Sequence, residues 1–240
     1  MKKYELTSET KVINGVELHR IKALKSFGNI NKGELGGWIE DEKNLSQDGD
    51  SWVYDNATVY ENARVFDNAT VCDNATVCDN ATVYGNAWVG GHGTVEDNAT
   101  VDDNATVGGY AKVGGDAKVG GYAWVYDNAM VSENAIVDRN AIVYDNAMVS
   151  GNATVGGKAR VGGDATVRGK KDFIVFKNWW SSGRFFTWTR SNNKWEVGCF
   201  YGSGEELIAK AYKDSEKSGR EYERVVKYVE SIMEEENNNK

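Results

Sequence analysis

The side chains of this 240-residue chain that could do chemistry are few and far apart. There are two histidines, His19 and His92. An imidazole titrates near neutrality, so a histidine is the first candidate for acid–base work. His92 stands in Val89-Gly90-Gly91-His92-Gly93-Thr94-Val95, where it breaks an otherwise regular pattern. Cys72, Cys78 and Cys199 are an odd number with no close pairing of the zinc-binding kind. Reduced thiols in a cytoplasm are the simplest expectation for them. Glu61, Asp79 and Asp97 are spaced by eighteen residues. Oxygen ligands in register could hold a hard cation weakly, but a solvated acidic face is the plainer expectation, and neither a metal nor a cofactor is expected. Near the end of the chain Trp179, Trp180, Trp188 and Trp195 are interleaved with Arg184, Arg190 and Lys194. Such a mixture can stack on a nucleotide or a single strand. A small domain also needs large aromatics to fill its core, which is the expected role of most of them. Trp179 and Trp180 are adjacent and would face opposite ways in an extended segment. One of the two is thus a candidate for exposure or for a junction, and Arg184 and Arg190 go with them as candidate ligand or junction residues.

The elements that would hold these residues follow from one repeat. Valine recurs every six residues from Val53 to Val167, twenty times without a gap. Two residues before each valine sits alanine, with departures at Ser51 and Gly93. Side chains two apart on a strand share a face, so each Ala and Val points inward and the residue between them outward. Two polar or glycine residues and, usually, an asparagine follow, as at Asn56, Asn62 and Asn68. Asparagine and glycine both tolerate left-handed backbone angles. A short strand and a sharp corner, repeated every six residues, wind into a parallel β-helix.

The Ala-X-Val-(Gly/Asp)-X-X pattern resembles the hexapeptide repeat of left-handed parallel β-helix proteins, many of them acyltransferases. The resemblance implies a mainly β chain whose eighteen-residue coils are left-handed and triangular. Twenty hexapeptides then make six to seven coils, a prism ~30 Å long at ~4.8 Å per coil. It also implies that a histidine near a subunit boundary would be the general base of any acyl transfer, which leaves His92 as the weak catalytic candidate. No inserted loop walls off a substrate, and no carboxylate can be assigned to orient the imidazole. His92 as a polar corner residue is the preferred expectation. The flanks, Gly36-Gly37-Trp38-Ile39-Glu40 and the tail around Trp188-Thr189-Arg190 and Gly198-Cys199-Phe200, resemble hexapeptide-repeat proteins of bacterial and phage genomes.

Three segments are expected: an N-terminal β cap over 1–50, the β-helix over 51–169 and a small α+β unit over 170–240. In the last, Phe173 to Lys177, Arg184 to Arg190 and Lys194 to Phe200 are predicted strands. Ser203-Gly204-Glu205-Glu206 and Ser218-Gly219-Arg220-Glu221 are predicted capping boxes of two helices. Glu234 to Lys240 are expected to fray.

The formal net charge is −8. The repeat body carries it, with 7 basic and 15 acidic residues over 51–169. Duplex DNA has one charge per ~1.7 Å, so the solenoid is too sparse for full DNA mimicry and too acidic to bind phosphate backbones. No apolar stretch follows Lys2-Lys3, so no secretory signal or membrane segment is expected, and the location would be cytoplasmic (a host cytoplasm for a phage protein). On eighteen-residue coils, Trp88, Trp124 and Ile142 fall in one outward column, Tyr126 and Tyr144 in the next, and Met130 and Met148 in a third. Large apolar groups outside a solenoid point to a contact. Either a protein partner or second copies of the chain cover them, a trimer being favoured by family analogy, or the C-terminal unit folds over them. The expected function is a non-enzymatic scaffold or interaction protein, phage- or prophage-encoded. The alternatives are a phage inhibitor of a host nucleic-acid-handling or defence complex, and an acyltransferase.

Overall fold

Every corner of the repeat has one residue in the left-handed region, and this sets the architecture. From Asp55 to Gly163 it is the second residue after each valine, the one before the usual asparagine, with φ between 52° and 70°. The expectation that the asparagines themselves make the turn is thereby corrected. Asparagine does something else. Asn62 Nδ2 donates to Asn80 Oδ1 at 3.2 Å, Asn80 to Asn98 at 3.1 Å, and Asn68 to Asn86 at 3.1 Å. Where asparagines fall in register, their amides therefore link neighbouring coils in a ladder.

In this computed structural model, residues 2–238 are described. Twenty two-residue strands, β4 (Trp52–Val53) to β23 (Thr166–Val167), recur every six residues. Each pairs in parallel with the strand eighteen residues away, as Thr106 with Trp124 and Val107 with Val125. Three sheets result, and they wrap a three-sided parallel β-solenoid of about seven coils. Its interior is the stack of alanines and valines, sealed from water along its length. Alanine on one side of each corner and valine on the other keep the prism narrow and free of polar atoms, so burial is the main stabilising effect.

The N-terminal segment does more than cover the first coil. β1 (Tyr4–Ile13) and β2 (Val16–Ala23) form a hairpin closed by Asn14 and Gly15, both at positive φ. β3 (Leu35–Ile39) pairs antiparallel with β2 and parallel with β5 (Thr58–Val59), so it converts the hairpin into the solenoid sheet. Leu45 bridges to Val65, which makes residues 38–53 an irregular leading coil with two extra residues before Val53. Trp52 fills its interior, edge-on to Tyr4 and Phe27. Lys3 is buried against the loop that carries the extra residues, and its Nζ donates to Ser51 O at 2.9 Å and Ser51 Oγ at 3.2 Å.

At the other end, β24 (Phe173–Lys177), β25 (Phe185–Thr189), β26 (Lys194–Val197) and β27 (Phe200–Gly202) form one antiparallel sheet. Four strands replace the expected three because Gly198, at φ 62°, turns the chain between Val197 and Phe200. Helix α1 (Gly204–Asp214) has the expected capping box of Ser203 and Glu206. Helix α2 (Glu216–Asn238) starts before the Ser218 box, since Ser215 Oγ accepts the Ser218 N–H at 3.1 Å. The stretch expected to fray is helical through Asn238, and Glu236 is tied to Arg190 at 2.6 Å. Residues 239 and 240 of that stretch lie outside the described residues. No helix among the described residues is long and apolar enough to cross a membrane.

Candidate functional site

The corners use most of the acidic residues of the solenoid. Glu61 Oε2 accepts the backbone N–H of Asp79 at 2.8 Å, Asp79 Oδ2 that of Asp97 at 3.0 Å, and Asp97 Oδ2 that of Gly115 at 2.8 Å. Asp73 does the same for Gly91, Asp103 for Gly121 and Glu133 for Gly151. A left-handed corner turns its N–H outward, and the carboxylate one coil earlier satisfies it. The hydrogen bond from the Asp97 N–H holds the Asp79 carboxyl below the ordinary carboxylate range. The stacked acids are therefore a structural device. Cys78 Sγ lies close to Glu61 and Asp79, with all three ligand atoms within 4.8 Å of one another. Burial pushes the Cys78 thiol up to about 12, so it stays protonated at neutral pH, and both carboxylates are already engaged. Cys72 sits on another corner and is likewise pushed up to about 12 by burial.

His92 is an exposed corner residue. Its ring stacks on Tyr110 with centroids 4.7 Å apart and planes 2° from parallel. This stack takes the place of the asparagine ladder in its column. Among the described residues no hydrogen bond reaches the imidazole, so nothing fixes its tautomer or aims it at a substrate.

The outward apolar residues divide into two groups. Trp88 is half-buried, and its indole lies where a Cβ on Gly90 or Gly108 would stand. It packs on its own solenoid and turns only part of its surface outward. Tyr144 similarly lies over Gly162, and Ile142 and Met148 are only partly exposed. Trp124 remains 52% exposed, with Tyr126 edge-on to it and stacked on Tyr144 at 5.5 Å. Met130 and Ile136, each 37% exposed, follow at six-residue steps. Trp124, Met130 and Ile136 are thus the outward residues of one coil on its three faces. Ile136 was missed from sequence because its column is otherwise Thr, Lys and Arg.

The C-terminal unit docks on the solenoid beside this coil. Arg160 N–H donates to Thr187 Oγ1 at 3.0 Å, and Thr166 N–H donates to Ser191 Oγ at 2.7 Å. The Arg160 guanidinium makes a short ion pair with Glu196, whose side chain is 4% exposed, and stands over the Tyr144 ring. Burial raises the Glu196 carboxyl above its ordinary range, against the opposing pull of Arg160. Alternation along the strand held the clue, since Glu196 stands between Trp195 and Val197 on an aromatic strand.

The tail aromatics resolve as follows. Trp180, Trp188 and Trp195 are core, and Trp180 packs edge-on to Tyr222 at 4.9 Å. Trp179 is 73% exposed. Arg190 is a strut, with Nη1 on Glu236 and Nε donating to Lys171 O at 2.9 Å, and it stands near Thr166 and Arg168 of the solenoid at the junction. Arg184 is exposed at the seam with the solenoid.

This arrangement is that of a hexapeptide-repeat parallel β-helix protein. A family model described as the YdcK beta solenoid repeat matches residues 75–91, 123–139 and 141–157. The chain is 35% identical over 63 residues to the Escherichia coli (strain K12) protein "Uncharacterized acetyltransferase YdcK", an overlap of 23% of this chain. It spans only 19% of that relative's length.

Proposed function

We propose that this protein is a non-enzymatic scaffold whose solenoid presents an apolar belt to protein partners, second copies of itself among them. The observation that carries this reading is the coil bearing exposed Trp124, Met130 and Ile136 on its three faces. Exposed apolar groups on consecutive faces of a rod lower their free energy by being covered. The corner chemistry supports it from the other side. His92 has an aromatic neighbour but, among the described residues, no orienting carboxylate, and general bases need both reach and orientation. The acidic character of the body has a structural cause in the corner hydrogen bonds, so it does not require a partner that reads charge. Within this reading a phage or prophage origin rests on the look of the flanks, and a cytoplasmic place goes with it.

A second reading, acyl transfer, is favoured by the relative named an acetyltransferase, and one experiment separates the two. Calorimetry with acetyl-coenzyme A on the full chain is expected to give no binding. His92→Asn, which restores the corner residue of the repeat, is expected to keep or slightly raise the melting temperature. Micromolar binding that vanishes in His92→Ala would replace the scaffold with the enzyme.

A further inference from the structure

The seam between the solenoid and the C-terminal sheet leaves a cleft of about 490 Å³. Ile142 and Asn140 line it from the solenoid, and Phe185, Gly183 and Gly198 from the sheet. Lys158, Arg160 and Arg184 also line it. Lys158 Nζ stands 5.3 Å from the centre of the Phe185 ring and Lys177 Nζ stands 5.8 Å from it. Among the described residues no carboxylate is within ion-pair distance of Lys158, Lys177 or Arg184, whereas Arg160 is bound to Glu196.

This gathering runs against the composition of the rod. Its 7 basic residues face 15 acidic ones, yet Lys158, Arg160 and Arg168 all fall within its last thirty residues and Arg139 stands just before them. Like charges collected round one opening repel one another until an anion arrives. The opening is also kept clear. Apart from its two chain neighbours, no residue comes within 4 Å of where a Cβ on Gly183 would stand, and both Gly183 and Gly198 hold positive φ.

The structure assigns this cleft as a binding site for a small organic oxyanion, a phosphate or carboxylate carried on an apolar or aromatic group. The oxyanion meets the Lys158 ammonium and the Arg184 guanidinium, whose planar fork suits two oxygens at once. The apolar part leaves water against Ile142 and the edge of Phe185. The Phe185 ring already has two ammonium groups near it, so the cations and the apolar surface belong to one site. Trp179 sits on the same hairpin, which the Asn178 N–H closes on Arg184 O at 2.7 Å, and offers a fluorescent reporter at the rim.

The test is calorimetry on the full chain with three probes: phenyl phosphate, phenylacetate and inorganic phosphate. The tighter of the two aromatic probes is expected to bind about tenfold or more above inorganic phosphate, because its ring is buried as well as its charge. Which of the two is tighter identifies the head group. The double variant Lys158→Ala, Arg184→Ala is expected to lose that binding while keeping its melting temperature. Lys118→Ala, an exposed lysine elsewhere on the rod, is expected to bind as the parent does. Equal affinity for all three probes, no heat with either aromatic probe, or the same loss in Lys118→Ala would overturn the assignment.

Discussion

At the scale of single residues, the corner is where this chain specifies its shape. Two adjacent residues share each corner, and both types found there tolerate unusual backbone angles. Spacing alone could not say which one turns. The structure divides the work: Asp, Glu, Gly or Arg139 takes the left-handed angle, and Asn next to it joins the coils. A physical clue was present in the sequence. The first slot is filled almost wholly by glycines and carboxylates, the two kinds of residue that can free or satisfy an outward N–H. Asp97 does both jobs, at φ 57° and bonded to Gly115 N–H. Asp97→Gly keeps the angle and loses the bond, a net loss of about 1 kcal/mol. Asp97→Ala loses the bond and adds the left-handed penalty of roughly 1–2 kcal/mol. Chemical denaturation should rank the parent above Asp97→Gly and Asp97→Gly above Asp97→Ala; an alanine variant as stable as the glycine one would mean that the angle carries no penalty here.

Elements were legible in proportion to how regular they are. The β-helix was readable from period six alone, because inward Ala and Val leave no second way to bury a face. Val107 is fully buried while Thr106 beside it is partly exposed. Val107→Asp should therefore cost about 4 kcal/mol or more through an unpaired buried charge, against less than about 1 kcal/mol for Thr106→Asp. Thermal melts of the two variants check it, and equal melting temperatures would reverse the inward and outward assignment. The C-terminal unit was half legible. Its helices announced themselves by caps and apolar spacing, but its fourth strand and its docking did not. Docking depends on Glu196 and Arg160, thirty-six residues apart and on different sheets, and no local pattern joins them. Removing one partner of such a pair leaves the other short of a counter-charge, so Glu196→Ala should loosen the seam by about 3 kcal/mol. The double variant Glu196→Gln, Arg160→Met should recover most of that. Protection of the Arg160 and Thr166 backbone N–H groups against hydrogen exchange reports the seam directly.

For the whole molecule, the question is what meets the belt of Trp124, Met130 and Ile136. If copies of the chain do, light scattering at micromolar concentration gives a mass above 26.5 kDa that rises with concentration. Trp124→Arg with Ile136→Lys should return it to the monomer without shifting the melt, since both side chains are outside the core. A parent that is monomeric throughout would leave the belt to a different protein.

The eighteen-residue coil also sets the phase of the molecule. Because each coil repeats the bonds of its neighbour, a duplication of eighteen residues lengthens the rod by ~4.8 Å and leaves every face in line with itself. An added hexapeptide would be stitched together by the same corner bonds but would swing the C-terminal unit a third of a turn about the axis. The seam would then close on a different face from the one that carries Trp124. Length can drift in whole coils at little cost to either end, while smaller steps re-aim one end against the other, so the separation of the two ends is a heritable distance and their relative bearing is held fixed.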